Sequence, residues 1–443
     1  MKTFFNSLLL GCLFLLLHPS CGQTPTGINL PEINLPPSQI LKINLDEDLV
    51  VLPQSAIFET VNYIKLETTS DCLIGSISKL LYINDTLIIM DGSDARPILT
   101  FSNTGKFLHK IGDYGPGPKE YSSPSDIAYD PYNDELIVWS YNDRKILRYR
   151  LDGEFVSAIQ LDFWISSIVA YDKDIMLAYV NNLRQASPNS KNYHFLFMDK
   201  KGEILSVLDE YNPEKDVFAG PSSHVFSPYN NDISFYFPST NSVYKVHQDS
   251  IQLHYFIDFG KYNMPLDFLH GKKTREAYNE LSESDLGFIR RLAESDKYLF
   301  TVSEYKTRQM HTLFSKQTQQ QISYDLFLHN DKYLSFTGPG IIALAGDLLI
   351  GMCEAAYLES TKAFYSELLP DTSEEHIRKL TLHKYSRIPD KMARKRVFDA
   401  IEKMPFKYNQ ADYDFLSSID PDDNPIIFVG KIRSKFPSEA AAY

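Results

Sequence analysis

The chain has 443 residues, of which 43% are hydrophobic and 13% aromatic, enough for a packed core in one large or two ordinary domains. This composition excludes a disordered protein. Its 57 Asp and Glu residues outweigh 44 Lys and Arg residues and give a formal net charge of −13. A polyanion would meet net repulsion everywhere except at a local basic patch, so we expect no nucleic-acid partner.

The first segment, "MKTFFNSLLLGCLFLLLHPSCGQ", has one lysine, an apolar run from Phe4 to Leu17, and a small Ser20 just before Cys21. The run is too short to span a membrane and has the proportions of a secretory signal, which we predict over 1–20. The segment resembles a bacterial lipoprotein signal, and this resemblance implies acylation of Cys21. His18-Pro19 departs from that family's pattern, so cleavage without lipid is the alternative.

The next segment, "TPTGINLPEINLPPSQ", has four prolines and neither helical nor strand periodicity. We predict that 21–55 is the lipidated cysteine followed by an extended tether, and that 436–443 is a tail. A protein anchored in this way is expected on a bacterial membrane through its lipid alone. We expect the outer membrane, with the domain facing the periplasm or exposed at the surface.

A repeat of about fifty residues follows. "ILTFSNTGKFLHKIG" (98–112) is matched by "ILRYRLDGEFVSAIQ" (146–160) and "FLFMDKKGEILSVLD" (195–209). Each copy has two short strands joined by a polar turn. The turn glycines are spaced by 48 and 49 residues: Gly105, Gly153 and Gly202. A repeat of this length is typical of propellers and solenoids.

Two more strand-like runs precede each hairpin, so that each repeat has four strands, as a propeller blade does. We predict five blades near 75–112, 124–161, 165–210, 223–260 and 287–327.

A sixth blade begins with "GIIALAGDLLIGMC" but lacks a hairpin nearby. We predict that "NPIIFVGKIR" (424–433) supplies its third strand and "TVNYIKLETT" (60–69) its fourth, which removes the free sheet edge. The predicted fold is therefore an all-β, six-bladed propeller over 56–435, closed by strands from both ends of the chain.

The stretch from "YIKLETT" through "GPGPKEYSSPSDIAYDP" resembles the six-bladed propeller lipoproteins of Bacteroidetes, which are related to NHL-repeat propellers. "SYNDRKILRYRLDGEF" matches the NHL blade pattern at Asn142, Arg144, Ile146, Asp152 and Gly153, and "DGSDARPILTFSNTGKF" matches it at Asp91, Arg96 and Gly105. The likeness covers about 60–165 and fades beyond. It implies the propeller fold but no particular function.

Two long insertions interrupt the repeat, over 261–286 and 354–420. The stretches "KKTREAYNELSES", "AYLESTKAFYSELL" and "DKMARKRVFDAIEKM" within them have helical spacing. Both insertions belong to one face of the propeller by strand order, and we expect that face to bind the partner. The alternative is that the helices only cover the channel mouth and stabilise the ring.

The same face is predicted to carry four arginines in turns between second and third strands: Arg96, Arg144, Arg184 and Arg308. A ring of guanidinium groups could bind a carboxylate or sulfate, while the favoured interpretation is that each arginine bonds a neighbouring blade.

The loop "IGDYGPGPKEY" (111–121) has three glycines but no following helix, so it is a link between blades and not a phosphate-binding loop. Its tip, Lys119, Glu120 and Tyr121, is a candidate for ligand contact. Trp139 and Tyr141 end an inner strand and are candidates for stacking a sugar ring, although packing is the commoner role of such aromatics.

Catalytic and metal-binding motifs are not found in the sequence. "DPDDNP" (420–425) lacks the glycine of a calcium loop, so we expect no metal and no cofactor. Cys72 and Cys353 are predicted to lie on neighbouring blades, where a disulfide is one hypothesis and two buried thiols the alternative.

The favoured function is therefore a non-enzymatic, monomeric envelope lipoprotein that binds a glycan or a protein through its loop-bearing face. One alternative is a propeller hydrolase or lyase of the lactonase type, with a metal in the channel. That chemistry needs several converging carboxylates, and the inner strands are mostly apolar or hydroxylic. A structural subunit of an envelope complex is the other alternative.

Overall fold

The computed structural model describes residues 36, 39–46, 50–93, 97–180, 193–210, 225–230, 232–237, 240–264, 286–306, 308–328 and 340–437. Within this part of the chain most of the strands form six four-stranded antiparallel blades of a propeller. Each blade runs from an inner first strand to an outer fourth strand, and apolar clusters fill the seams between blades. The predicted six-bladed propeller is confirmed.

The strands of the first five blades follow one another along the chain. Blade one has Ile77–Ile83, Thr86–Asp91, Ile98–Ser102 and Phe107–Lys110; blade two has Pro124–Asp130, Glu135–Ser140, Lys145–Arg150 and Phe155–Gln160; blade three has Ser167–Ala170, Ile175–Tyr179, Tyr193–Asp199 and Ile204–Glu210; blade four has Phe226–Tyr229, Asp232–Tyr236, Ser242–His247 and Ser250–Asp258; blade five has Gly287–Glu294, Tyr298–Tyr305, Arg308–Ser315 and Gln321–Tyr324.

Blade six combines both ends of the chain. Its first two strands are Gly340–Ala345 and Leu348–Cys353, its third is Ile426–Ile432, and its fourth is Phe58–Lys65. The third strand pairs Ile427 with Met352 on one side and with Ile64 on the other. The predicted closure is confirmed, and the ring has no open edge at this point.

The turn glycines of the repeat lie against the outer strand of the preceding blade. A Cβ on Gly105 would lie 2.9 Å from the carbonyl carbon of Lys65, and one on Gly153 would lie 3.0 Å from the Lys110 carbonyl oxygen. Both glycines have positive φ, 85° and 91°. The glycine repeat therefore has two causes, a left-handed turn and a close approach between blades.

Replacing Gly105 with alanine is expected to lower the free energy of unfolding by about 3 kcal/mol, because a positive φ and a backbone clash act together. Gly346 is the matched control, with a φ of 59° and no atom within 4 Å of an added Cβ. Its alanine variant should lose only about 1 kcal/mol. Urea unfolding of both variants measures the difference, and equal losses would contradict the close-approach explanation.

The insertion in blade six contains four α-helices among the described residues, numbered here α1 (Leu358–Leu368), α2 (Glu374–Tyr385), α3 (Lys391–Lys403) and α4 (Gln410–Ser417). Side chains of Ser373, Asp390 and Asn409 cap the last three. The helices predicted in "AYLESTKAFYSELL" and "DKMARKRVFDAIEKM" are α1 and α3. The helical stretch predicted within 261–286 lies at 272–284, outside the described residues.

The described part of the N-terminal segment packs on the propeller. Ile40–Lys42 pairs in parallel with the outer strand of blade four, and Val51–Pro53 pairs in parallel with Leu326–Leu328. Leu41 and Leu52 are both 3% exposed. This part of the predicted tether, from Ile40 onward, is therefore bound to the ring. Among the described residues no helix has the length and apolar character to cross a bilayer.

Candidate functional site

The link at 111–121 is held by its own side chains and by blade two. The Glu120 carboxylate accepts a hydrogen bond from the Gly117 amide at 2.9 Å, and Lys145 Nζ donates to the Gly117 carbonyl at 2.9 Å. Tyr121 is 1% exposed, and its hydroxyl donates to the Ile111 carbonyl at 2.9 Å. The ammonium of Lys119 lies 5.4 Å from the Phe155 ring centre. Each of the three tip side chains thus contacts the link or the next blade.

The aromatic candidates of blade two differ in exposure. Trp139 is fully buried in the seam to blade three, whereas Tyr141 is 37% exposed. Arg144 stacks on Trp164, with its guanidinium carbon 4.9 Å from the ring centre, and donates to the Asp162 carbonyl at 3.1 Å. Both of these contacts tie the turn of blade two to the link that leads into blade three.

Arg308 forms a bidentate ion pair with Asp325, with one donor–acceptor distance of 2.8 Å. Asp325 also accepts a hydrogen bond from the Val50 amide at 2.8 Å, so this pair fixes the N-terminal segment to blade five. Arg96 and Arg184 lie outside the described residues, as does Cys21. The structure thus places the two described arginines in separate contacts between segments.

The hypothesis of a Cys72–Cys353 disulfide is wrong, because both thiols are free. The Cys72 thiol is buried and donates to the Glu67 carbonyl at 3.1 Å. Burial raises the pKa of Cys353 to about 12. Cys72 packs in one apolar cluster, and Cys353 packs at the edge of another.

A cavity of about 520 Å³ lies on the propeller axis, and the first strands of all six blades line it. Most of its wall is aliphatic, with Lys79, Arg291 and Glu294 among the polar groups. Apolar walls with a few fixed polar groups are typical of small-molecule sites. This axial cavity is the candidate functional site.

Three half-buried tyrosines line the axial cavity: Tyr82, Tyr129 and Tyr229. Each is the last or second-last residue of a first strand. Because strand direction alternates within a blade, first strands end on the face opposite to the one that carries the helical insertion. The aromatic end of the cavity is therefore on the face without helices.

Two of the tyrosine rings are fixed by acids in the hairpin that follows. Tyr82 donates to Asp85 at 2.8 Å, and Tyr129 donates to Asp134 at 2.9 Å. Burial, strengthened by these acids, raises the pKa of both phenols to about 12. The rings are thus neutral and held in one orientation over the physiological pH range.

A buried carboxylate joins three blades beside the cavity. Asp126 is fully buried, pairs with Lys79 Nζ of blade one at 2.6 Å, and accepts from the Ser167 hydroxyl and the Ile168 amide of blade three at 2.6 and 2.9 Å. Every polar atom of this group has a partner, as buried ions require. The network fixes the relative position of blades one to three around the axis.

A second buried carboxylate occupies the seam between blades four and five. Glu294 pairs with Lys316 Nζ at 2.6 Å and with His254 Nε2 at 3.1 Å, and accepts from the Ser234 hydroxyl. These donors lower the pKa of Glu294 to about 2 against the opposing effect of burial. Burial lowers the pKa of Lys316, which lies 4.0 Å from the Tyr229 ring centre. Glu294 is ionised at neutral pH because three groups donate to it.

Sequence reasoning did not select the cavity residues. A signal was nevertheless present, because three first strands end in similar runs, "YIND", "YDPYND" and "YNND", each with a tyrosine before an acidic turn. Among the described residues no cluster of three or more His, Cys, Asp or Glu is arranged to hold a metal ion.

The profile of one protein family, the domain of unknown function DUF4934, matches residues 40–383. No curated protein matches the sequence. A protein of Bacteroides fragilis that is assumed to be exported has a similar structure, with a TM-score of 0.64 and 19% identity over 89% of this chain and 99% of that chain. This likeness supports the fold.

Two further solved structures are less similar. A DUF4221 family member from Bacteroides vulgatus has a TM-score of 0.44 and 13% identity over 67% of this chain and 92% of that chain. The WD40 repeats of RRP9 have a TM-score of 0.40 and 12% identity over 87% of this chain and 100% of that chain.

Proposed function

The chain belongs to the DUF4934 family, and from this premise we propose that it is an exported, non-enzymatic binding protein that takes a glycan into its axial cavity. The single observation that carries this proposal is the group of half-buried tyrosines in a cavity of about 520 Å³. We further propose that Cys21 is acylated and anchors the protein to the outer membrane. We also propose that the DUF4934 family is related to the NHL-repeat propeller lipoproteins.

The chemistry of the cavity suits a sugar. The face of an aromatic ring is electron-rich and attracts the C–H groups of a pyranose ring, while the hydroxyl groups of the sugar need polar partners. Tyr82 and Tyr129 supply fixed rings, because Asp85 and Asp134 hold their hydroxyls. Fixed rings lose little conformational entropy when a ligand binds, which favours affinity.

Defined tri- and tetrasaccharides are expected to raise the melting temperature of the purified protein by about 3 °C at a hundredfold excess over Kd. The Tyr129→Ala variant should bind the same sugar about tenfold more weakly, because one stacking contact is lost. Thermal shift identifies the sugar, and calorimetric titration then compares the Kd values.

Tyr114→Ala is the matched control, because Tyr114 is 61% exposed in the link at 111–121 and lies away from the cavity. Its affinity for the sugar should equal that of the unaltered protein. If both variants bound the sugar equally weakly, or if neither substitution changed the affinity, the binding site would not lie in the axial cavity. If peptides raised the melting temperature and sugars did not, the proposed glycan ligand would be wrong. The protein would still be a binding protein, with a peptide as its ligand.

A further inference from the structure

One stretch of the helical insertion, residues 374–407, has a charge opposite to that of the rest of the chain, whereas the whole insertion (354–420) has 11 basic and 12 acidic residues. Residues 374–407 contain 10 Lys and Arg against 5 Asp and Glu, a net charge of +5. The rest of the chain contains 34 Lys and Arg residues against 52 Asp and Glu residues, a net charge of −18. A local surplus of this size on an acidic protein creates a positive surface that attracts anionic partners.

Some of these basic groups stabilise the helices themselves. Arg378 pairs with Glu374 at 2.6 Å, and Arg394 donates to the Ser386 and Ile388 carbonyls, both at 3.2 Å. Seven others are exposed: Lys379, Arg387, Lys391, Lys395, Arg396, Lys403 and Lys407. Residues 374–407 therefore present a positively charged surface to solvent.

The first turn and a half of α3 combines charge with an apolar side chain. Lys391, Lys395 and Arg396 are exposed there, and Met392 between them is 56% exposed. Val397 and Ile401, on the opposite side of the helix, are fully buried against the propeller. An exposed apolar side chain among lysines is typical of a helix that lies on a lipid surface.

The N-terminal segment runs beside this helix. α3 contacts Val51–Pro53, and Ile40–Lys42 lies on blade four. Eighteen residues separate Cys21 from Ile40, which can span at most about 60 Å when extended. The proposed anchor would therefore keep Ile40 within about 60 Å of the membrane, and the same N-terminal segment reaches α3 at Val51–Pro53.

We propose that the exposed side of α3, Lys391, Met392, Lys395 and Arg396, docks on the anionic phospholipid headgroups of the anchoring membrane. This inference rests on the proposed acylation only in that the anchor brings the domain to a bilayer. Each basic residue near such a surface contributes on the order of 1 kcal/mol, roughly fivefold in partitioning. Docking here leaves the aromatic end of the cavity, on the other face, open to ligand.

The test uses the chain from residue 21 onward with Cys21→Ser, so that no lipid contributes. Co-sedimentation with vesicles of phosphatidylcholine and phosphatidylglycerol in a 7:3 ratio is compared with vesicles of phosphatidylcholine alone. Binding is expected only to the anionic vesicles, and it should weaken steeply between about 50 and 300 mM salt. Replacing Lys391, Lys395 and Arg396 with glutamate should weaken it by about a hundredfold.

The matched control places the same change of charge elsewhere, at the exposed residues Lys106, Lys110 and Lys201 of blades one and three. This triple glutamate variant should keep most of the vesicle binding, and circular dichroism establishes that both variants fold. Equal loss in both triple variants, or no binding to anionic vesicles, overturns the proposal. If the protein bound soluble polyglutamate but not the vesicles, the proposed lipid partner would be wrong, and the partner of α3 would be an acidic macromolecule. The mass of membrane-extracted protein tests acylation separately.

Discussion

Replacing Asn424 with alanine is expected to lower the free energy of unfolding by about 4 kcal/mol. Asn424 is fully buried, and its amide donates to the Glu67 and Cys72 carbonyls at 2.7 and 2.9 Å. Its side-chain oxygen accepts from the Ile74 amide at 2.7 Å. Alanine leaves the Ile74 amide and the Cys72 carbonyl without these partners in the interior, and each costs about 1–3 kcal/mol, while the Glu67 carbonyl keeps only the Cys72 thiol as a donor.

The size of this effect follows from where Asn424 lies. It precedes the third strand of blade six and binds the segment that leads from the closing strand into blade one. The side chain thus joins residues from the two ends of the chain. We expect the loss to appear as a lower urea midpoint, because the whole ring depends on this closure.

Asn409→Ala is the matched control for this prediction. Asn409 caps α4, where its side chain accepts from the Ala411 amide at 3.1 Å near the surface. Loss of a helix cap costs about 1 kcal/mol. If the two variants lost equal stability, Asn424 would have no special role in closing the ring.

The propeller was predictable because its signals repeat. Strand runs, polar turns and the glycines at Gly105, Gly153 and Gly202 recur at a fixed interval, and the close approach between blades explains why glycine is needed there. The closing strand was found by elimination, since blade six lacked a hairpin. A repeat can therefore locate a strand that is hundreds of residues away in sequence.

The site was harder to predict because burial in a propeller does not alternate along a strand. Middle strands are covered on both faces, so Glu135–Ser140 is buried from Leu136 to Ser140, and its sequence could not distinguish a packed Trp139 from an exposed one. The cavity residues are far apart in sequence and meet only when the ring closes. The pairing of Val51–Pro53 with Leu326–Leu328 was also missed, because short edge strands carry little pattern.

The second large effect concerns Glu294 and pH. Its pKa is about 2 in the folded protein against an ordinary value of 4.5, because His254 and Lys316 donate to the carboxylate and outweigh the opposing effect of burial. As pH falls, the unfolded chain takes up the proton first, so protonation favours unfolding. The stabilisation is full above about pH 4.5 and is lost as pH falls towards 2, and it amounts to about 3 kcal/mol.

Glu294→Gln is expected to remove this acid-sensitive part of the stability. At pH 7 the variant should also unfold about 3 kcal/mol more easily, because Lys316 keeps its burial but loses its ionic partner. Urea unfolding of both proteins between pH 7 and pH 2.5 should therefore give curves that differ most at neutral pH and converge in acid.

Glu154→Gln is the matched control, since Glu154 is exposed and pairs with Arg150 at 3.2 Å on the surface. Its curve should run within about 0.5 kcal/mol of the unaltered protein at every pH. A difference between Glu294→Gln and the unaltered protein that stayed constant down to pH 2.5 would mean that Glu294 is not ionised in the fold. Convergence would instead show that one buried charge holds blades four and five together beside the axial cavity.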